Sequence, residues 1–200
     1  MTDIDTRGPR TAADKAARVI TEVGAPWILN IVASMIIGMA VGAPGWGVFV
    51  AVFGGVVPMI FILVGMRRAK ISDHHVTRIN ERHMLIASLL VVTLGALIVQ
   101  VVAGAPIEMI AFLSSGLAAL AVAAVITSAL HWKVSGHTGA SAAIAVVLAL
   151  SVSPWWLLAL ALTPMIGWSR VHLGDHTKGQ VVAGAIAGAI AAGLTYVVIA

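Results

Sequence analysis

Residues 107–130 read IEMIAFLSSGLAALAVAAVITSAL, and this stretch decides the fold class. Its single charged side chain, Glu108, stands beside its beginning, and the rest is apolar or small. About 20 helical residues are needed to cross a hydrocarbon core of about 30 Å. The stretch therefore predicts a transmembrane helix.

The rest of the chain has the same character. Its 200 residues are 60% hydrophobic and 10% charged, with a mean hydropathy of +1.03, whereas about a quarter of the residues in a soluble domain are charged. Further apolar segments lie at 26–41, 46–66, 84–103, 138–152, 155–168 and 181–200. The two shorter ones, 138–152 and 155–168, meet at Ser153-Pro154, which favours a turn. The sequence thus predicts an all-α, polytopic transmembrane helix bundle of six or seven spans.

The first 25 residues form a polar exception. Apolar residues recur there at helical spacing, at Ala12, Ala16, Val19, Ile20 and Val23. Charged residues lie between them, which is typical of an amphipathic helix on the membrane surface. We therefore expect residues 1–25 to form a polar tail with an interfacial helix, and residues 26–200 to form a membrane-embedded domain.

The basic residues are distributed asymmetrically. All twelve Lys and Arg lie in the N-terminal tail or in the loops 67–83, 131–137 and 169–180, and all seven His lie in the same three loops. Two predicted spans separate successive loops, so the three loops emerge on one side. Because Lys and Arg favour the cytoplasmic side, we expect a multi-pass cell-membrane protein whose N-terminus and three loops are cytoplasmic.

Composition also limits the chemistry and the partners. The absence of Cys excludes disulfides, cysteine-ligated zinc and thiol nucleophiles. A net charge of +4 and a pI near 10.1 would suit a nucleic-acid binder. In so apolar a chain, however, the basic residues indicate membrane orientation and anionic ligands. The expected partners are a lipid bilayer and a lipid phosphate, with no nucleic acid.

Two of the loops carry candidate phosphate chemistry. Ser135, Gly136 and His137 precede a predicted helix, whose first backbone N–H groups suit a phosphate oxygen, and a His can transfer a proton near neutral pH. The simpler interpretation is a Ser N-cap beside an incidental His. In the third loop, Arg170 offers a planar fork of donors, and His176 is a possible nucleophile if one ring nitrogen is held. The simpler interpretation there is a polar loop between helices.

These motifs resemble those of the type 2 phosphatidic acid phosphatase superfamily of membrane lipid phosphatases. Ser169-Arg170 and His176 match its third motif with the required spacing, within SRVHLGDHTKGQVVAG. Val134-Ser-Gly-His137 is similar to its second motif, Pro-Ser-Gly-His, without the proline. The resemblance extends from about residue 67 to residue 200.

The first motif of that family, Lys, six residues, then Arg-Pro, is poorly kept. The best register puts His75 in the Lys position and Arg82-His83 in the Arg-Pro position. Lys70 and Arg78 offer a second register. All four of His75, Arg82, Lys70 and Arg78 are therefore candidate phosphate-binding residues.

The resemblance implies a mechanism without metal or other cofactor. His176 would attack phosphorus to form a phosphohistidine, His137 would protonate the leaving oxygen, and water would hydrolyse the intermediate. Phosphoryl oxygens would be bound by Arg170, Arg82, Ser135 and the N–H of Gly136.

One departure affects the nucleophile. The Asp with which the family orients its nucleophilic His is replaced by Gln180, whose carbonyl can still accept from an imidazole N–H. Some polyprenyl and dolichyl diphosphate phosphatases look similar at this position. Asp175, next to His176, is expected to point elsewhere.

The implied function is hydrolysis of a phosphomonoester or diphosphate of a phospholipid or polyprenyl lipid. A lipid phosphotransferase, or a non-catalytic transporter or scaffold on the same bundle, is the alternative. A metal site at His74, His75, His172 and His176 is disfavoured, because no HExxH pattern occurs and carboxylates are few in these loops. The sequence leaves the lipid and the oligomeric state open.

Overall fold

The fold is that of a computed structural model, which describes residues 11–67 and 79–200, with side chains for 11–65 and 87–200. Within these residues the regular structure is helical throughout and contains no strand, which confirms the all-α class. Of the first-motif candidates, Lys70, His75 and Arg78 lie outside the described residues. Arg82 lies in a described helix, but its side chain is outside the described set.

Nine α-helices and two other helical segments follow one another along the described chain. They are α1 (Ala12–Val23), α2 (Pro26–Ala40), α3 (Pro44–Ala51), a π-helical segment (Val52–Val56), α4 (Val57–Arg67), α5 (Ile79–Val102), α6 (Ile107–Ala129), α7 (Gly136–Ser151), a 3₁₀ segment (Pro154–Ala161), α8 (Leu162–His172) and α9 (Lys178–Ile199). Proline stands at the start of α2, of α3 and of the 3₁₀ segment, where its missing N–H and fixed φ favour helix initiation.

Three helical stretches of the described chain are long and apolar enough to cross a membrane: Pro44–Gly65, Ile107–Ala129 and Lys178–Ile199. A fourth candidate exists if α1 and α2, which meet at a bend of 46°, are counted as one broken span. Six or seven spans are not confirmed. The reason is length, since α2 has 15 residues and α7 has 16, fewer than the roughly 20 that a hydrocarbon core requires.

Helix α1 forms where the amphipathic pattern predicts it, and its buried face differs from its apolar stripe. Thr11 and Asp14 form a capping box at its start. Val19 and Val23, on the predicted apolar stripe, are 61% and 62% exposed. The side that is buried instead carries Ala17 and Thr21 and packs on α8. The helix is therefore attached to the bundle through a face that differs from its apolar stripe.

The Gly184-x-x-x-Gly188 pattern of α9 lies directly against α7. A Cβ on Gly184 would collide with the carbonyl oxygen of Ser135, and one on Gly188 with that of Gly139. Small residues let the two backbones approach closely, as at many membrane helix interfaces. From sequence this pattern indicates helix packing only. In the fold it fixes the start of α7 beside the first turns of α9.

Candidate active site

The N-terminus of α7 is the first component of the candidate site. Ser135 is the N-cap, and its side chain accepts a hydrogen bond from the backbone N–H of Thr138 at 3.4 Å. Gly136 and His137 are the first two residues of the helix, whose N–H groups have no acceptor in a preceding turn of helix. The His137 side chain is only 7% exposed. Donor groups and a buried imidazole thus lie at the positive end of one helix dipole.

Two hydrogen bonds join this terminus to α9. The backbone N–H of Ser135 donates to the carbonyl oxygen of Gln180 at 3.1 Å. The Thr138 hydroxyl donates to the carbonyl oxygen of Val181 at 2.8 Å. The second and third loops, 45 residues apart at Ser135 and Gln180, are therefore in direct contact, as the site hypothesis requires.

Gln180 holds the ring of His176. Its Oε1 accepts from the backbone N–H of Thr177 at 3.1 Å, and Thr177 Oγ1 accepts from the N–H of Gln180, which completes a capping box at the start of α9. The same Oε1 lies 3.2 Å from His176 Nδ1. Because that oxygen only accepts hydrogen bonds, Nδ1 carries the proton and Nε2 carries the lone pair. This is the tautomer that a nucleophilic Nε2 needs.

Arg170 and the turn after α8 form the third component. Gly174 has φ +77°, a left-handed conformation that favours glycine. The backbone N–H groups of Asp175 and His176 both donate to the carbonyl oxygen of Arg170, at 3.0 and 3.2 Å. The Arg170 side chain is fully buried, and its Nη1 lies 3.1 Å from Asp175 Oδ2. The Asp175 carboxylate thus contacts Arg170, whereas the His176 ring contacts Gln180. This agrees with the expectation that Asp175 points away from His176.

Two residues of the third loop have a role that sequence reasoning missed. Ser169 donates to the carbonyl oxygen of Ile166 at 2.7 Å, so its oxygen accepts from the Thr21 hydroxyl at 2.8 Å. His172 Nε2 lies 2.8 Å from Asp14 Oδ1, and its ring stacks on Trp168 at 5.1 Å. The sequence feature that could have indicated these contacts is helical spacing. Positions 169 and 172 share a face of α8 that Arg170 does not.

The capping box of α1, and after it the contact with α8, lower the pKa of Asp14. The hydrogen bond from the Thr11 backbone N–H, and next the one with His172, lower the pKa of this carboxyl from 3.8 to about 2. Asp14 is therefore ionised at neutral pH.

The fold thus brings six predicted site residues into one region: Ser135, Gly136, His137, Arg170, His176 and Gln180. Among the side chains that the structure describes, no group of three or more His, Asp or Glu is arranged to hold a metal ion. His172 and His176, two members of the suggested metal set, have different partners, Asp14 and Gln180.

Comparisons of the chain with protein-family models, with curated proteins and with solved structures find no match. The resemblance to lipid phosphatases therefore depends on the motif residues and their arrangement. That arrangement combines a buried guanidinium, a helix N-terminus, an imidazole with an oriented tautomer and a second buried imidazole. Such a set can bind an anionic oxygen group and transfer a proton beside it.

Proposed function

We propose that the protein is a membrane lipid phosphatase that hydrolyses a phosphomonoester or diphosphate of a phospholipid or polyprenyl lipid. The observation that carries this proposal is the hydrogen bond between His176 Nδ1 and Gln180 Oε1, which lies one residue from the Arg170–Asp175 pair. A histidine held in this tautomer beside a fully buried arginine is suited to nucleophilic attack on a phosphoryl group.

Phosphoryl binding is assigned to Arg170 and to the start of α7. Arg170 provides a planar fork, and the N–H of Gly136 points out of the first turn of α7. A Cβ at Gly136 would meet no atom within 4 Å, so there is room beside this backbone for a ligand. Either His75 with Arg82, or Lys70 with Arg78, would complete the set, as the two registers of the family resemblance imply.

The reaction would proceed in two steps. Nε2 of His176 attacks phosphorus with its lone pair, the bond from phosphorus to the lipid oxygen breaks, and His137 gives that oxygen a proton. Water then attacks the phosphohistidine, His137 takes a proton from the water, and the P–N bond breaks to release phosphate. Fixed donors stabilise the charge that develops on the phosphoryl oxygens.

The setting would be a cell-membrane bundle of six or seven spans with the site on the cytoplasmic face. The shorter helices would contribute if they cross with little tilt or reach the interface through tryptophans such as Trp155 and Trp168. A cytoplasmic site favours a headgroup on the inner leaflet, such as phosphatidic acid, phosphatidylglycerol phosphate or a polyprenyl-linked sugar phosphate.

The test is phosphate release by the purified full chain in detergent, across a panel of lipid phosphates and diphosphates. We expect release from at least one lipid, unchanged by EDTA because no step uses a metal. Glycerol added as an acceptor separates the alternative, since a phosphotransferase would form glycerol phosphate. If no lipid in the panel releases phosphate, the transporter or scaffold alternative replaces this proposal. Activity that EDTA abolishes and zinc restores would contradict the metal-free mechanism.

A further inference from the structure

Asp175 is bound to the arginine of the proposed phosphate site. Its Oδ2 lies 3.1 Å from Nη1 of Arg170. The backbone of the same residue is fixed as well, because the N–H of Asp175 donates to the carbonyl oxygen of Arg170 at 3.0 Å. The turn after α8 therefore closes on Arg170 through both its main chain and a carboxylate.

The two partners of this ion pair differ in their access to solvent. The Arg170 side chain is 0% exposed, and that of Asp175 is 22% exposed. A guanidinium without solvent contact favours an anion beside it, since an uncompensated buried charge is strongly destabilising. The carboxylate, in contrast, retains a route to water. Asp175 can therefore leave the pair and be hydrated.

Carboxylate and phosphoryl oxygens are equivalent acceptors for a guanidinium. Both accept from the planar N–H fork of an arginine, and both carry negative charge. An anion that binds Arg170 therefore meets a second negative charge at close range. Either the two share the fork at a cost in repulsion, or the carboxylate moves outward.

We propose that Asp175 is the built-in counter-ion and positioning residue of Arg170, and that a phosphoryl group displaces its carboxylate on binding. The proposal rests on the phosphate site of the proposed function and extends it by a residue to which neither the motifs nor the mechanism gives a role. Asp175 keeps the buried guanidinium oriented while the site is empty. Its charge weakens the binding of the phosphoryl group and of the phosphate product.

The experiment measures thermal unfolding of the purified full chain in detergent, at one pH and one ionic strength, in chloride and in inorganic phosphate. We expect Asp175→Asn to melt below the wild type in chloride, because Arg170 loses the negative charge of Asp175. Phosphate should raise the melting temperature of Asp175→Asn more than that of the wild type, since it replaces the missing anion. The dissociation constant of Asp175→Asn for phosphate should be about tenfold lower than that of the wild type, because one nearby negative charge is gone.

Asp14→Asn is the matched control. This variant also removes a carboxylate that contacts a side chain of α8, since Asp14 lies against His172. The Asp14 carboxylate does not contact Arg170. Its response to phosphate should equal that of the wild type. Asp175→Glu is a second variant, which retains the charge and should keep a response close to that of the wild type.

The proposal is overturned if phosphate stabilises Asp175→Asn no more than Asp14→Asn. It is also overturned if Asp175→Asn stays unfolded when purified in phosphate, because rescue by the anion is what the exchange requires. The readout is binding and does not depend on turnover. Phosphate rescue without release of phosphate from any lipid would defeat the proposed function alone, whereas lipid hydrolysis without rescue would defeat this inference alone.

Discussion

Gln180 occupies a position where a carboxylate would be the more obvious partner for a catalytic histidine. Its Oε1 accepts from Thr177 N–H and from His176 Nδ1, so one atom both caps α9 and orients the imidazole. A carboxylate would perform the same two tasks and would also stabilise the imidazolium. An aliphatic side chain would perform neither.

This comparison predicts the behaviour of two variants at position 180. Gln180→Leu should lower phosphate release by a factor between about 10² and about 10⁴, because the His176 tautomer is no longer fixed. Gln180→Glu should preserve or raise the rate, since its oxygens accept the same hydrogen bonds. Steady-state rates with one lipid phosphate test this. Equal rates in all three proteins would mean that another group orients His176.

The proposed nucleophile, His176, can be tested against His172, a histidine of the same loop. His176→Ala should abolish phosphate release, whereas His172→Ala should retain most of it, because His172 binds Asp14 on α1. Rapid quenching should trap a phosphoprotein in the wild type and in His172→Ala, with the lability in acid and stability in base of a phosphohistidine. Turnover near the wild-type rate by His176→Ala would exclude this nucleophile.

At the level of single residues, the sequence predicted the site residues that belong to spaced motifs. It missed the residues whose partners are distant in the chain. Arg170, His176 and Gln180 lie together because only a short connection separates α8, which carries Arg170, from α9, which carries Gln180. The partnership of Ser169 with Thr21 joins positions 148 residues apart. No local pattern contains that contact. The pairing of Asp175 with Arg170 depends on the left-handed turn at Gly174, which sequence suggests only weakly.

Among the helices, the contact of α7 with α9 depends on the absence of side chains. Gly188→Ala should lower the melting temperature and reduce activity, because its Cβ would collide with the backbone of Gly139. The cost should be about 2 kcal/mol, typical of overpacking in a close contact. Gly95→Ala is the control, since a Cβ there meets no atom within 4 Å, and it should be neutral or stabilising. Thermal unfolding compares the two, and equal melting temperatures would contradict the role of Gly188.

The attachment of α1 should depend on pH through Asp14. Because the pKa of this carboxyl is lowered from 3.8 to about 2 in the folded protein, its contacts contribute stability above pH 3.8. That contribution is lost as the pH falls toward 2. Spin labels on cysteines at Ala13 and Leu173 should broaden each other's spectra above pH 4. The broadening should decrease as the pH falls toward 2, because the two labels separate. In an Asp14→Asn background the broadening should be weaker and should not change over this range, and identical titrations would count against the contact.

The helices themselves were more predictable than their number of membrane crossings. Each apolar segment of the sequence that lies in the described residues is helical, because a helix satisfies the backbone hydrogen bonds of a long apolar run within the run itself. Whether a helix crosses depends on its length and tilt, however. Pro154 shortens α7 and opens a 3₁₀ segment before α8, so the candidates fall to three or four. The sequence shows the proline, but it does not show the type and length of the helical segment that follows it.

For the whole molecule, the distribution of charge makes a prediction about orientation. Setting aside the candidate ligands Lys70, Arg78, Arg82 and Arg170, eight basic residues remain in the N-terminal tail and the three loops, and none lies in the turns on the other side. Most of them lie close enough to a span to count under the positive-inside rule. The N-terminus and the candidate site should therefore face the cytoplasm.

The chain contains no Cys, so single cysteines report on orientation without a background. Ala13, on α1, and Gly45, at the start of α3, are both exposed, and a side chain at Gly45 meets no atom within 4 Å. In intact cells Ala13→Cys should resist a membrane-impermeant maleimide and react after permeabilisation, whereas Gly45→Cys should react at once. The reverse pattern would place the site outside the cell. A site outside the cell would favour an outer-leaflet polyprenyl diphosphate as substrate. The basic residues of the loops would then be explained by anion binding and not by topology.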